Sequence, residues 1–256
     1  MRKDIQFLAA VAALSVSAGA NAALPAGFNV TIEAPGVQQN SSATFDAYGI
    51  ETFNNLTPGN YNTYVTTFGG SPITGAYSSL KVLAADQYGG AGGNGEYAVA
   101  GLGYGNSSYS LTLSGNGGQP INYFGFWLSA LDAGNMLEFY DHGTLLGTFT
   151  PTDVKALVGT GGAYYGNPNT GQNHGEPYVF VNFYKQVGGF DQIVFRQTNP
   201  GAGYESDNHT VGWWTQQGGN PVPGVPEPAT WAMLIAGFGM IGMASRRRSR
   251  ATVALA

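Results

Sequence analysis

Three carboxylates lie close together in the middle of the chain, at Asp132, Glu138 and Asp141. Glycoside hydrolysis needs two carboxyl groups at a fixed separation, so these acids are the first candidates for catalysis. Asp132 lies in the turn-like segment LDAGN, where an aspartate commonly binds backbone. Glu138 alternates with Leu137 and Phe139, which predicts that it faces solvent. Solvated strand and turn positions account for the three acids better than a catalytic pair does.

The three histidines, His142, His174 and His209, give little support for histidine chemistry. No two of them have the spacing of a metal-binding helix, and neither H-E-x-x-H nor G-x-S-x-G occurs. His142 precedes a glycine, which is typical of a hairpin turn, and His209 falls in a predicted strand. Residues 90–95, GAGGNG, have the spacing of a dinucleotide-binding loop, but a strand-like segment follows them, so we predict a plain loop.

The composition indicates an all-β protein. The 256 residues include 40 glycines and 13% aromatic residues, but only 10% are charged. Cysteine is absent, which excludes disulfides and thiolate metal sites. Between Ala23 and Val225 there are four basic and thirteen acidic side chains, a net charge of −9. Because nucleic-acid phosphates need a basic surface, we predict no nucleic-acid partner.

Short runs of alternating apolar residues, separated by Gly-rich turns, predict about a dozen strands. The predicted strands are 28–33, 43–53, 61–68, 77–84, 96–102, 108–114, 121–129, 136–141, 144–149, 177–184, 190–198 and 209–214. A Thr-Pro-Thr-Asp sequence at 150–153 predicts one short helix, which Gly159 ends. This pattern favours a single β-sandwich domain over residues 23–214.

The N-terminus has the pattern of a secretory signal peptide over residues 1–22. Arg2 and Lys3 form its basic start, and residues 5–13 form its apolar core. Ala20 and Ala22 fit the small-residue cleavage pattern. We therefore expect signal peptidase to cut before Ala23 and the body to be exported.

The C-terminus has the pattern of a membrane helix. A Pro/Gly linker over 215–225 leads to residues 229–245, which carry no charge and are just long enough to span a bilayer. Four arginines follow before a tail at 251–256, and they predict a cytoplasmic stop: Arg246, Arg247, Arg248 and Arg250. Together the two ends predict an inner-membrane intermediate with the body outside.

The tripeptide Pro226-Glu227-Pro228 stands immediately before this span. The segment VPEPATWAMLIAGFGMIG followed by RRR closely resembles the PEP-CTERM sorting signal of bacterial exosortase systems, here over residues 226–250. The resemblance implies that an exosortase cuts near the tripeptide and that the body is released to, or attached at, the cell surface. It also implies a Gram-negative bacterium that makes exopolysaccharide. The segment would be a substrate, without catalytic residues.

The order of ETF, FGFWLS and ESDNHTV along the body looks like a family of exosortase-sorted surface proteins, which implies a jelly-roll sandwich. Jelly rolls often hold a structural calcium ion where the first and last strands meet. By that fold analogy, Glu51, Asp207 and Asn208 are candidate oxygen ligands for Ca²⁺. No cofactor is otherwise required.

Four aromatic residues are candidates for stacking on sugar rings. Trp213 and Trp214 are adjacent in a strand, so they should point to opposite faces, with one of them in the core. Tyr164 and Tyr165 lie in a Gly/Asn loop. Ordinary packing is the simpler interpretation of all four.

These observations favour a non-enzymatic, exosortase-sorted protein of the cell surface or extracellular matrix, associated with exopolysaccharide and biofilm. The alternative hypothesis is a secreted carbohydrate-binding module, or a carbohydrate-active enzyme that uses Asp132, Glu138 or Asp141.

Overall fold

The structure is a computed structural model that describes residues 25, 27–221 and 238. Within that part of the chain, antiparallel strands dominate and one α-helix interrupts them. In chain order the elements are β1 (Phe28–Ile32), β2 (Thr44–Glu51), β3 (Gly59–Thr66), β4 (Ile73–Ala84), β5 (Glu96–Ala100), β6 (Ser108–Gly115), β7 (Tyr123–Ser129), β8 (Asn135–Asp141), β9 (Thr144–Phe149), α1 (Pro151–Val158), β10 (Val179–Lys185), β11 (Gln192–Gln197), β12 (Tyr204–Gln216) and β13 (Asn220–Pro221).

The strands form one curled sheet in which the hydrogen-bonded order is β13-β1-β10-β7-β12-β5-β4-β6-β11-β8-β9. Two further strands lie beside this path, since β2 pairs with β12 and β3 pairs with β4. The short strand β5 divides this order into two halves of the sheet, one from β13 to β12 and the other from β4 to β9. It joins the two halves, because it pairs with β12 on one edge and with β4 on the other.

Each of the two long strands changes partner partway along one edge. On β12, residues 204–206 pair with β5 and residues 209–216 pair with β2. On β4, residues 73–78 pair with β6 and residues 81–84 pair with β5. The backbone is left-handed at each change, with φ of 49° at Asn208 and 58° at Ser79. A single left-handed residue bends a strand, so these two positions make the corner that β5 bridges.

Aromatic rings hold the two halves of the sheet against each other. The ring of Phe195 on β11 lies 4.9 Å from the imidazole of His209 on β12 and 5.3 Å from Phe126 on β7. Phe139 on β8 lies 4.9 Å from Phe183 on β10. The four phenylalanines belong to one apolar cluster, and His209 beside them is fully buried as well. The all-β prediction is confirmed, while the jelly-roll topology stays a prediction.

Each of the twelve predicted strands overlaps a strand of the structure, and the predicted helix is present. The Asp153 carboxylate accepts hydrogen bonds at 2.7 Å from the backbone N–H and the hydroxyl of Thr150. This closes the first turn of α1, and Gly159 follows its last residue with a φ of 77°.

Two predicted boundaries are wrong. The last long strand begins at Tyr204 instead of 209, because the polar residues ESDN, which are typical of a turn, pair with β5 and β7. The linker predicted at 215–225 begins later, because β12 continues to Gln216 and residues 220–221 pair with β1. The packed body therefore reaches Pro221.

The predicted signal peptide and most of the predicted span lie outside the described residues. Among the residues that the structure describes, no helix combines the length and the apolar character needed to cross a membrane.

The position of Phe195 generates a stability prediction. Replacing Phe195 by Ala should lower the free energy of unfolding by about 3–5 kcal/mol, because a fully buried ring that bridges both halves of the sheet is lost. Val65→Ala is the matched control, since this side chain is 65% exposed and its loss should change stability by less than about 0.5 kcal/mol. Urea unfolding followed by tryptophan fluorescence measures both. Equal effects of the two changes would contradict this account of the core.

Candidate functional site

Glu51 ends β2 and lies directly opposite His209 in the ladder with β12. Its side chain is buried, and both of its carboxylate oxygens accept hydrogen bonds from the protein. Phe53 N–H donates to Oε1 at 2.7 Å, and the Tyr64 hydroxyl donates to Oε2 at 2.9 Å. In the structure Glu51 therefore fixes the loop after β2 and the neighbouring strand β3.

Asp207 and Asn208 lie on β12 at its change of partner. The Asp207 carboxylate is buried and accepts the N–H groups of Ala91 at 2.7 Å and Asn208 at 2.6 Å. Burial raises the pKa of Asp207 to about 7, although these two hydrogen bonds oppose the rise. The Asn208 side chain donates to the Gln38 carbonyl at 2.8 Å. Through these bonds the two residues hold the Gly-rich loop 90–95 and the segment before β2 against the sheet.

The conformation of residues 90–95 differs from that of a dinucleotide-binding loop. A single 3₁₀ turn at Ala91–Gly93 is followed by β5, whereas a dinucleotide-binding loop must open a helix. The interpretation of residues 90–95 as a plain loop is confirmed.

His209 occupies a position that the sequence did not single out for any role. Its ring is fully buried, and its Nδ1 and Nε2 lie 2.9 Å from the Tyr77 hydroxyl and 3.0 Å from Ser206 Oγ. Burial lowers the pKa of His209 to about 3, so the imidazole is neutral in the folded protein. With no exposed atom, this histidine serves the core and is not available to a substrate.

The three acids of the enzyme hypothesis have separate sets of partners. Asp132 is partly buried and accepts the Gly203 N–H at 3.2 Å, which confirms that it binds backbone. The expectation that Glu138 faces water is wrong. It is buried, because the Arg196 guanidinium at 3.3 Å and the Tyr140 hydroxyl at 3.0 Å cover its carboxylate on the outer side of the sheet.

Asp141 lies close to Asp191, a residue that was not among the candidates from the sequence. The hairpin between β8 and β9 turns at His142 and Gly143, both with positive φ, and Asp191 lies beside it, immediately before β11. Asp191 accepts the His142 backbone N–H at 3.1 Å, and His142 Nδ1 lies 2.8 Å from Asp141. The pairing of β11 with β8 could have revealed this contact, but only once the register was known.

These three side chains form the one group of acidic and histidine ligand atoms, within the described residues, that converges to within 4.8 Å. The hydrogen bond to Asp141 and the charges of the two aspartates raise the pKa of His142. Since the His142 side chain is 88% exposed, water competes for every ligand position, and exposed groups of this kind are common without a metal.

The two tryptophans of β12 separate as predicted. Trp213 is 6% exposed and donates from Nε1 to the Pro120 carbonyl at 3.1 Å. Trp214 is partly exposed, lies edge-on to Tyr184 at 5.6 Å and donates to the Lys185 carbonyl at 3.3 Å. Trp213 is thus a core residue, and Trp214 keeps part of its ring at the surface.

Tyr164 and Tyr165 are both partly buried. The Tyr164 hydroxyl donates to the Glu33 carbonyl at 2.9 Å, and the Tyr165 hydroxyl donates to the Gly159 carbonyl at 3.0 Å. Their hydroxyls anchor the long loop between α1 and β10, and stacking of either ring on a sugar stays a prediction.

The burial of His209 generates a pH prediction. The unfolded chain binds a proton at His209 below its ordinary pKa of 6.5, whereas the folded protein does so only near pH 3. The contribution of His209 to the free energy of unfolding is therefore complete above pH 6.5 and is lost as the pH falls towards 3. Relative to His209→Phe, the parent protein should lose about 2–3 kcal/mol of unfolding free energy between pH 7 and pH 4.5.

Urea unfolding at the two pH values measures this difference. Phe53→Leu is the matched control, because Phe53 packs on His209 at 5.0 Å but does not titrate. Phe53→Leu should lower the free energy of unfolding by the same amount at both pH values. A cost of His209→Phe that does not change with pH would contradict the buried neutral imidazole.

The predicted sorting residues, Pro226 to Pro228 and the four arginines, lie outside the described residues, as do Ala20 and Ala22. Comparison with known families supplies the evidence for this segment. The family model of the PEP-CTERM protein-sorting motif matches residues 224–248. No curated protein matches the chain. The motif implies processing by an exosortase and export through the membrane to the cell surface. The chain is therefore a protein whose C-terminal segment carries a PEP-CTERM sorting signal.

Proposed function

We propose that the body is a non-enzymatic component of the cell surface or extracellular matrix, associated with exopolysaccharide in a biofilm. In this proposal, signal peptidase removes residues 1–22 in a Gram-negative cell, and the C-terminal segment then holds the chain in the inner membrane. An exosortase cuts near Pro226-Glu227-Pro228 and delivers the body to the outside. The observation that carries the proposal is the PEP-CTERM match at residues 224–248.

The extent of the packed body fits such a cut. Asn220 and Pro221 pair with Ile32 and Thr31 of β1, and the Gly218 carbonyl accepts the Thr31 hydroxyl at 2.6 Å. The last described strand thus ends three residues before the matched motif begins. A cut at the tripeptide would remove none of the hydrogen-bonded strands, so the released body would keep its core.

The partners of the candidate acids support a role without chemistry. A catalytic acid or base must reach a substrate proton, directly or through one water. Glu138 is buried and engaged by Arg196 and Tyr140, while His209 has no exposed atom. These contacts are structural, and each of them restricts access of a substrate to the group.

The sorting proposal predicts a defined mature protein. Mass spectrometry of surface material should find chains that begin near Ala23 and lack Trp231 and the residues after it. Changing Pro226, Glu227 and Pro228 together to Ala should leave the full C-terminus in the membrane fraction. Asp46→Asn, an exposed substitution on β2, is the matched control and should be processed normally. Full-length chain through Ala256 in the outer fraction would contradict the proposal.

Two finer parts of the proposal follow from fold analogy. The strands would have a jelly-roll topology, and a calcium ion would bind Glu51, Asp207 and Asn208. Each carboxylate oxygen of Glu51 and Asp207 already accepts one hydrogen bond from the protein, so a cation at this place would compete with these donors.

The alternative of a carbohydrate-binding module is favoured by a different observation. Tyr48 is 57% exposed and packs at 5.3 Å against Phe45. The two rings border a recess of about 150 Å³ beside the amide of Gln39. Aromatic faces supply apolar contact for a sugar ring, and neighbouring amides can bond its hydroxyls.

Affinity electrophoresis in gels that contain the producing strain's own polysaccharide tests this alternative. If the recess binds sugar, Tyr48→Ala should abolish retardation, whereas Val65→Ala, an equally exposed apolar change, should leave it intact. No retardation of the parent protein would contradict the binding module. Hydrolysis of the polysaccharide that Asp132→Asn or Glu138→Gln abolishes would instead establish the enzyme.

A further inference from the structure

Asp132, Glu176 and Glu205 come from three separate segments and lie close together at one place in the fold, here called the acidic patch. Glu205 is on β12, where it pairs with Ser129 of β7. The chain leaves β7 towards Asp132, which bonds to Gly203. A Cβ at Gly203 would collide with Glu205 Oε1, so the carboxylates of Asp132 and Glu205 flank the same glycine.

Glu176 is brought to this place by the loop before β10. The Leu131 N–H donates to the Pro177 carbonyl at 3.3 Å. Asp132 follows Leu131 in the chain and Glu176 precedes Pro177, so the two acids are neighbours. Burial is the largest cause of the raised pKa values of Glu176 and Glu205, and the negative charge of Asp132 raises both further, as expected for neighbouring carboxylates.

The patch differs from the other buried acids of the body because two of its oxygens have no partner. Glu205 is 3% exposed, and its Oε2 is buried without any hydrogen bond in the described part of the chain. Glu176 Oε2 is buried without a partner in the same way. An unsatisfied buried carboxylate oxygen is costly, so each such group in a folded protein calls for a partner.

Protein cations do not provide that partner. Within the described ranges, the ion pairs involve Asp141, Asp191 and Glu138, and none of them includes a residue of the patch. Lys185 lies over the ring of Phe28, and Arg196 is paired with Glu138. Burial raises the pKa of Glu205 well above its ordinary value, and it raises the pKa of Asp132 and of Glu176 as well.

We propose that the acidic patch binds one hard divalent cation, Ca²⁺ in an extracellular setting, with Glu205 and Glu176 as ligands and Asp132 as a third. Ca²⁺ takes six to eight oxygen ligands in a flexible geometry, so backbone carbonyls and water complete its coordination. The oxygens of the three acids do not all lie within 4.8 Å of one another, so coordination of one ion by all three requires the loop that carries Glu176 to move. Binding the ion would draw the loop before β10 onto β12.

This site is separate from Glu51 and Asp207, whose oxygens are all bonded, and from the exposed group at His142. It is also independent of the sorting proposal. Its consequence is that calcium outside the cell would fasten the end of the long loop between α1 and β10, at Glu176, to Glu205 on β12.

Thermal unfolding tests the site on the full chain, purified in a mild detergent at pH 8. Adding CaCl₂ to protein first stripped with EDTA should raise Tm by about 5 °C when the ion is in large excess over its Kd. MgCl₂ at the same concentration should give a smaller rise. Calorimetric titration with CaCl₂ should show one ion per chain.

Glu205→Gln should abolish the calcium-dependent rise and should increase Tm in EDTA, because it removes a buried charge. A merely structural role for Glu205 would instead lower Tm in EDTA. Glu176→Gln lies at the partly exposed side of the patch and keeps the test valid if Glu205→Gln does not fold; it should also abolish the rise.

Asp191→Asn and Asp207→Asn are the controls and should keep the full calcium response. Asp207→Asn also distinguishes this site from the calcium position that the fold analogy gives at Glu51 and Asp207. Loss of the response in either control, but not in Glu205→Gln or Glu176→Gln, would place the ion elsewhere and overturn the proposal. A Tm of the parent protein that does not change with CaCl₂ would also overturn it, and would leave Glu205 as a buried protonated acid.

Discussion

The contact between Phe195 and His209 is the interaction on which the rest of the structure depends. Their rings are nearly parallel, with 4° between the planes, and they join the β11 half of the sheet to the β12 half. The chain has no cysteine and few ion pairs in its described part, so apolar burial must supply most of the stability. A neutral imidazole is compatible with this core, because its two nitrogens meet Tyr77 and Ser206.

The strand β12 shows how polar residues can be buried in a sheet at little cost. Residues 204–207 pair with β5 or β7, the Asn208 N–H donates to the Asp207 carboxylate, and most of the side chains have specific partners. Ser206 bonds the Tyr109 hydroxyl, Asp207 holds the loop at Ala91, and Asn208 holds Gln38. Glu205 is the exception, since one of its oxygens has no protein partner. The same strand therefore contains both the most constrained part of the core and the best candidate for ligand binding.

The end of the body has a functional consequence. The pairing of β13 with β1 closes the fold at Pro221, and the PEP-CTERM motif matches from residue 224. A processing enzyme needs an extended segment that it can bind, and prolines disfavour both a helix and an inner strand. The tripeptide lies beyond the last strand that the structure describes, as the proposed cut requires if the body is to keep its paired strands.

The sequence by itself determined the all-β class, the positions of twelve strands, the capped helix and the PEP-CTERM signal, because local patterns specify these features. Alternation and turn residues can be read within about ten residues, and the sorting motif within the single segment 224–248. Only the tertiary structure decided that Arg196 covers Glu138, that Asp191 accepts a hydrogen bond from His142, and that Glu205, Glu176 and Asp132 lie close together. Those contacts depend on strand register and on loops that return from 40 or more residues away. The polar ESDN segment shows the same limit, since its composition is typical of a turn and its burial follows only from the strands on either side.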